Sequence, residues 1–446
     1  MGLLTMPDMI SDLLLASLPG GAIPDPPGLL IAPFALLLAA IALMPFINGF
    51  WWHQHYPKVS AGFGALVAIY YLLVLRAPGR MLDAGHEYIS FIALVGSLYV
   101  VVGGIHIRVK GEATPAINVL YLLIGAVAAN FIGTTGASML MIRPYLRMNK
   151  IRISAYHVVF FIFIVSNVGG GLTPIGDPPL FLGYLKGVPF FWVLQNCWAA
   201  WAVCIGGLLA IFYVIDVRCL HRAPKRIQHE IAESEEWRFD GLINLVFLAL
   251  VIASVFVTNP LFLREAIMVV AAAGSLYFTP RGVRTANHFN YEPLREVAWL
   301  FFGIFLTMVP ALDFLTRHSR ALGLDTEQKF FWFTGLLSGV LDNAPTYLTF
   351  LAAAMGNLGL SVENRGHVLQ FIQTHDHYLI AISVGAVFFG ALTYIGNAPN
   401  FMVKSIAESM GVRVPAFLPY IYKYALPLLI PMFAIISLLF FHFKWL

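Results

Sequence analysis

Two carboxylates and five carboxamides fall inside stretches that are otherwise apolar enough to cross a membrane. Asp177 closes the run Ser166-Asn167-Val168-Gly169-Gly170-Gly171-Leu172-Thr173-Pro174-Ile175-Gly176-Asp177-Pro178-Pro179, and Asp342 opens Asp342-Asn343-Ala344-Pro345-Thr346. Asn130, Asn167, Asn343, Asn397 and Asn400 sit among threonines, serines and glycines in the same regions. Carboxylate, amide, hydroxyl and backbone oxygens together suit a hard cation such as Na+. A carboxyl group at membrane depth can also carry a proton. Interrupted helices add unpaired carbonyls at one stub and unpaired N–H groups at the other, and the latter suit an anion such as a carboxylate. These residue types therefore leave the sign of the cargo's charge open.

The candidate Na+ ligands are Asn130, Asn167, Asp177, Asp342, Asn343 and Asn397. The wider binding set adds Thr134, Thr135, Ser166, Gly170, Thr173, Thr346, Thr393 and Asn400. Asp177, directly before Pro178-Pro179, has a second reading as the N-cap of a half-helix. Asp342 has a second reading as turn chemistry, and of the two acids it is the one expected to couple transport to Na+ or protons.

These residues require helices that stop mid-membrane. Three consecutive glycines, Thr-Pro and Asp-Pro-Pro cannot continue an α-helix. Unwound backbone at that depth is tolerated only inside protein or along a watery cavity, and such breaks mark transporter binding sites. The break has a twin. Leu172-Thr173-Pro174-Ile175-Gly176-Asp177-Pro178-Pro179-Leu180-Phe181 aligns with Leu392-Thr393-Tyr394-Ile395-Gly396-Asn397-Ala398-Pro399-Asn400-Phe401, with Leu, Thr, Ile, Gly, Pro and Phe in register.

Composition sets the class. The chain has 446 residues, 59% hydrophobic and 11% charged, against about 25% charged in soluble proteins. Its mean hydropathy is +0.79. This predicts an all-α polytopic membrane protein with the lipid bilayer as its main partner. The net charge of +4 gives no footprint for nucleic acid, and the three cysteines form no metal or disulfide pattern. No HExxH, P-loop or GxSxG sequence occurs, so neither an enzyme nor a cofactor is expected.

Residues 1–28 read as an extramembrane or interfacial lead-in. The first repeat, 29–216, contains spans near 29–47, 60–76 and 86–103, a re-entrant hairpin near 116–142 with Asn130 to Gly136 at its tip, a broken helix near 156–185 and a span near 190–215. A charged cytoplasmic linker occupies 217–239. The second repeat, 240–446, follows the same plan: spans near 241–258, 264–279 and 297–316, a hairpin near 329–355, a broken helix near 378–410 and a span near 419–442. Each half then crosses five times, about ten transmembrane helices in all, and an odd number makes the repeats inverted. Most of the 27 Lys and Arg residues collect on one side. The positive-inside rule makes that side cytoplasmic and puts both termini outside a plasma (inner) membrane.

Asn130-Phe131-Ile132-Gly133-Thr134-Thr135-Gly136-Ala137-Ser138, the run Ser166 to Pro179, Asp342-Asn343-Ala344-Pro345-Thr346 and Gly396-Asn397-Ala398-Pro399-Asn400 resemble the ion transporter superfamily. Within it they look most like NhaD-type sodium/proton antiporters and the CitMHS-like citrate-transport branch. The resemblance implies a scaffold, an elevator-type transport domain carrying both hairpins and both broken helices, and a homodimer. The antiporter pattern has Asp-Asn at the first hairpin tip, where this chain reads Ala129-Asn130. Two acids at the breaks and no Lys or Arg there favour Na+/H+ antiport. The alternative is Na+- or H+-coupled transport of a carboxylate such as citrate or a dicarboxylate.

Overall fold

A computed structural model describes residues 24–110, 113–221, 236–257 and 259–443. The lead-in before residue 24 and the centre of the charged linker, 222–235, lie outside the described residues. The protein is helical almost throughout. Among the described residues, seven helices are long and apolar enough to cross a membrane, and the chain is a multi-pass membrane protein.

Two of those helices double back. α1 (Ala32–Leu73) would be about 63 Å long if straight. Yet Gly28 packs under Phe314 while Tyr71 hydrogen-bonds to Asp313. Both ends of α1 thus lie at one end of the same neighbour, and the chain turns at Asn48, the non-helical residue within it. The Asn48 side chain accepts the Trp51 N–H at 3.1 Å and so starts the second arm. That arm begins eleven residues earlier than the apolar run at 60–76 predicts. Its start, Gly49 to Val59, is rich in aromatic and histidine residues, which suit a membrane interface but interrupt a hydropathy run.

α2 (Pro78–Val102) follows, then the strand β1 (His106–Lys110). α3 (Pro115–Arg147) also folds back on itself, about Gly133, whose φ of 74° few residues other than glycine adopt. Tyr121 donates to the Met141 carbonyl at 2.8 Å. Asn118 and Asn149, at the two ends, exchange reciprocal amide bonds of 2.8 Å. Those two residues would be more than 40 Å apart on a straight helix, at about 1.5 Å per residue. The open ends are pinned by Asp216, which accepts from Asn118 (3.0 Å), Tyr156 (2.6 Å) and Arg152. Asp216 belongs to α6 (Trp192–His221).

Between α3 and α6 runs the first broken helix, α4 (Ala155–Ile164) and α5 (Pro178–Leu185). His157 of α4 is buried, stacked on Tyr156 at 4.2 Å and 3.5 Å from Asp216, so it belongs to this anchor. After the linker, β2 (Glu236–Asp240) pairs antiparallel with β1, His106 opposite Asp240. A short two-stranded ribbon thus accompanies the otherwise helical chain and takes in the last residues of the charged segment. It gives the backbone hydrogen bonds that a charged segment lacks a helix to supply.

The second half contains α7 (Asn244–Ser254), α8 (Leu263–Phe278), the short α9 (Arg281–Ala286) and the long α10 (Glu292–His318). α11 (Glu327–Ser338) and α12 (Asn343–Asn357) form another hairpin, closed by Asn357 donating to the Leu324 carbonyl at 2.7 Å. The second broken helix is α13 (Arg365–Phe389) and α14 (Ala398–Ser409), and α15 (Phe417–His442) is last.

Packing sorts these helices into two groups. α1, α2, α7, α8 and α10 pack on one another. Gly64 and Gly303 let α1 and α10 approach closely, since a Cβ on Gly303 would lie 2.7 Å from the Ser60 carbonyl. α3 to α6 and α11 to α15 form the other group. The groups meet where α10 lies on α12 and α2 on α3.

Candidate functional site

The two breaks fold alike because they carry the same short-range instructions. In the first, Gly176 N–H donates to Thr173 Oγ1 at 3.1 Å; in the second, Gly396 N–H donates to Thr393 Oγ1, also at 3.1 Å. Each loop closes on a pair of glycines six residues apart. A Cβ on Gly170 would lie 2.7 Å from the Gly176 carbonyl oxygen, and one on Gly396 would lie 2.7 Å from that of Gly390. A side chain at Gly170, Gly176 or Gly396 would run into the facing backbone, and one at Gly390 would press on the Asn167 amide. Gly170 thus shapes the site and cannot ligate through a side chain.

The first hairpin tip is sewn to the first break. Asn130 donates to the Gly169 carbonyl (2.7 Å) and accepts from Leu172 N–H (2.9 Å), while its own carbonyl accepts from Thr173 Oγ1 (2.6 Å). Thr134 N–H donates to the Gly176 carbonyl at 2.8 Å, and Ser166 pairs with Ser138 at 2.7 Å. Asn400 plays the corresponding role in the second break. It donates to the carbonyls of Gly390 (2.8 Å) and Thr393 (2.9 Å) and accepts from Asn167 (2.7 Å). The side-chain oxygens of Asn130 and Asn400 are therefore already engaged by protein donors.

Asp177 lies at the meeting point. It is 1% exposed and accepts three hydrogen bonds, from Thr134 Oγ1 (2.8 Å), Asn343 Nδ2 (2.6 Å) and Asn397 Nδ2 (2.9 Å). One donor comes from the first hairpin, one from the second and one from the second break. Asp177 occupies the N-cap position of α5, but its side chain makes no capping bond. Asp342 does cap: its carboxylate accepts Ala344 N–H at 3.0 Å, and Thr346 Oγ1 donates to its carbonyl at 2.8 Å. The two acids thus differ in use: Asp342 caps its own helix, and Asp177 gathers donors from three other segments.

At this meeting point, and among the described residues, two buried amide oxygens, Asn167 Oδ1 and Asn343 Oδ1, have no hydrogen-bond partner. Both belong to side chains that border Gly390, where a Cβ would meet Asn167 Oδ1 at 2.9 Å and Asn343 Nδ2 at 3.6 Å. Buried amide oxygens are seldom left unpaired, and a pair of them beside a carboxylate is a donor set for a hard cation. Of the sequence-derived cation candidates, Asn167 and Asn343 have an unpartnered side-chain oxygen, whereas Asp177 already accepts three hydrogen bonds and the Asn130 side-chain oxygen one.

The four half-helix starts differ in what they offer an anion. Pro178 and Pro179 open α5, Pro345 lies in the first turn of α12 and Pro399 in that of α14. Proline has no N–H, and Asp342 already takes that of Ala344. The second arm of α3, starting at Thr134, carries no proline in its first turn. It opens on a cavity lined by Thr134, Thr135, Gly136, Ile175 and Gly176 on one side and Phe91, Leu94 and Leu98 of α2 on the other. The α2 wall is absent from the sequence-derived site. Its residues are ordinary span residues with no polar signature to single them out.

A family described as "Putative citrate transport" matches residues 25–441 of the chain. The chain is 25% identical over 324 residues to an uncharacterized transporter of Mycobacterium bovis and to one of Mycobacterium tuberculosis, a match covering 67% of this chain and 70% of each relative. It is 24% identical over 302 residues to a 46 kDa membrane protein of Mycobacterium leprae, covering 62% and 66% respectively. With a match running over nearly its whole length, the chain belongs to this citrate-transport family of membrane transporters.

Proposed function

We propose that the protein is a secondary transporter that carries a small carboxylate, citrate or a dicarboxylate, together with Na+. The observation that carries this reading is the side-by-side placement of two unlike sites. The helix start at Thr134 has no proline and lies beside the α2 cavity, and although the Thr134 N–H itself is taken by the Gly176 carbonyl, the turn that follows suits a carboxylate group. The Asp177, Asn167 and Asn343 oxygens suit Na+. Thr134 joins them, since its hydroxyl donates to Asp177. Among the described residues no Lys or Arg hydrogen-bonds within this cluster, so an anionic cargo needs accompanying cations to offset its charge. Antiport of Na+ against protons was the leading expectation from the acids alone. The family match and the open helix start move the preference to carboxylate transport.

In this reading the two halves are inverted repeats in a plasma membrane, with both termini outside. The α3 hairpin enters from the cytoplasm and the α11–α12 hairpin from outside. The helix group containing the breaks moves against the group built on α1 and α10 in an elevator-like step, and a homodimer would hold the latter still. Uptake of radiolabelled citrate and succinate into proteoliposomes tests the function. Uptake driven by an inward Na+ gradient and abolished when it is collapsed is expected. Absence of uptake under Na+ and proton gradients alike, with Na+-dependent alkalinisation of acid-loaded vesicles instead, would overturn it in favour of antiport.

A further inference from the structure

Away from the breaks, a buried ionic cluster spans the seam between the two helix groups. Arg80, in the first turn of α2, pairs with Asp313 of α10 and, at 3.0 Å, with Glu363 in the loop between α12 and α13. Tyr71 of α1 donates to Asp313 at 2.8 Å. Lys186, the residue closing α5, pairs with Glu87 of α2 at 2.7 Å and with Glu363 at 2.7 Å. Arg80, Lys186 and Asp313 are buried, and Glu87 and Glu363 are largely so. Two of these pairs, Lys186 with Glu87 and Arg80 with Glu363, cross from one helix group to the other.

The partners on the break-containing side are not arbitrary. Lys186 ends α5, whose other end is Asp177. Glu363 follows α12, whose other end is Asn343. Asp177 and Asn343 are hydrogen-bonded to each other, and Gly183 lets the Tyr347 ring of α12 lie directly on α5. The two helices therefore form one strut, with the cargo site at one end and the ionic cluster at the other. A buried charge is tolerated only while it is paired. Sliding the strut past α2 by one turn would separate both crossing pairs at once. Such a seam favours discrete positions over continuous sliding.

We propose that this cluster is a latch that holds the strut against α2 and α10 in the present conformation and opens once in each transport cycle. The inference rests on the two-group reading of transport, but its distance readout needs no knowledge of the cargo. Spin labels on Leu82 of α2 and Leu358 beyond α12, both exposed, report the separation of the groups in the full-length reconstituted protein by pulsed electron resonance. Lys186→Gln is expected to raise the population of a second distance by at least about tenfold over the unsubstituted chain. An unchanged distance distribution in a folded K186Q protein overturns the latch, whatever the cargo proves to be. Should K186Q fail to fold, the paired Glu87→Cys and Lys186→Cys protein, joined by a short bis-maleimide, takes its place. Cross-linking is expected to leave one distance and stop turnover. Two distances, or turnover undiminished in fully cross-linked protein, overturns the proposal.

Discussion

Asp177 and Asp342 each stand just before a proline-bearing half-helix, yet their side chains do different work. Asp342 uses its carboxylate on Ala344 N–H, a bond that asparagine can replace. Asp177 leaves its helix uncapped and gathers donors from three other segments. Asp177→Asn is therefore expected to reduce Na+-driven uptake by at least about 100-fold, equivalent to about 2.8 kcal/mol of lost ion binding. Asp342→Asn should retain uptake within a few-fold, whereas Asp342→Ala should cost about 1 kcal/mol of stability as a lost N-cap. Uptake at saturating and limiting Na+, with thermal unfolding in detergent, checks all three. Full loss of transport in D342N with D177N active would return the coupling role to Asp342.

At the scale of elements, the hairpins differ in how their open ends are held. The α3 hairpin is pinned by the reciprocal Asn118–Asn149 pair and by Asp216 with its Arg152 and Tyr156 partners. The α11–α12 hairpin has one amide bond, Asn357 to Leu324. Asp216→Ala leaves Arg152 largely uncompensated and is expected to destabilise the protein by about 3–5 kcal/mol. Asn357→Ala should cost about 1 kcal/mol. Comparable losses in thermal unfolding for the two variants would contradict this asymmetry. The breaks themselves are legible in sequence because glycine, proline and N-capping residues act on their own backbone. The anchor at Asp216 is less so: a single Asp near the end of an apolar helix reads as a solvated terminus until Arg152 and Asn118 are placed beside it.

For the whole molecule, alternating access requires the Thr134–Gly136 helix start to face each side of the membrane in turn. Thr135 is half-buried and lines the cavity without bonding to Asp177. A Thr135→Cys protein in oriented vesicles should react with a membrane-impermeant maleimide from one side in Na+ and from the other after Na+ is removed. Reaction from one side only, under every ionic condition, would rule out the elevator reading.

The sequence by itself determined the membrane class, the two breaks with their shared Leu-Thr-x-Ile-Gly pattern and the polar stretches about which α3 and the α11–α12 segment turn back. All of these follow from hydropathy and from backbone rules that act over a few residues. Only the tertiary structure decided which acid sits at the centre, which amide oxygens remain free, that α2 walls the cavity and that an ionic cluster spans the seam. The partners of Asp177 lie 43, 166 and 220 residues away. Local propensity carries no information about pairing over that separation. It is fixed by how the helices pack, and by the cost of leaving a buried polar group without a partner.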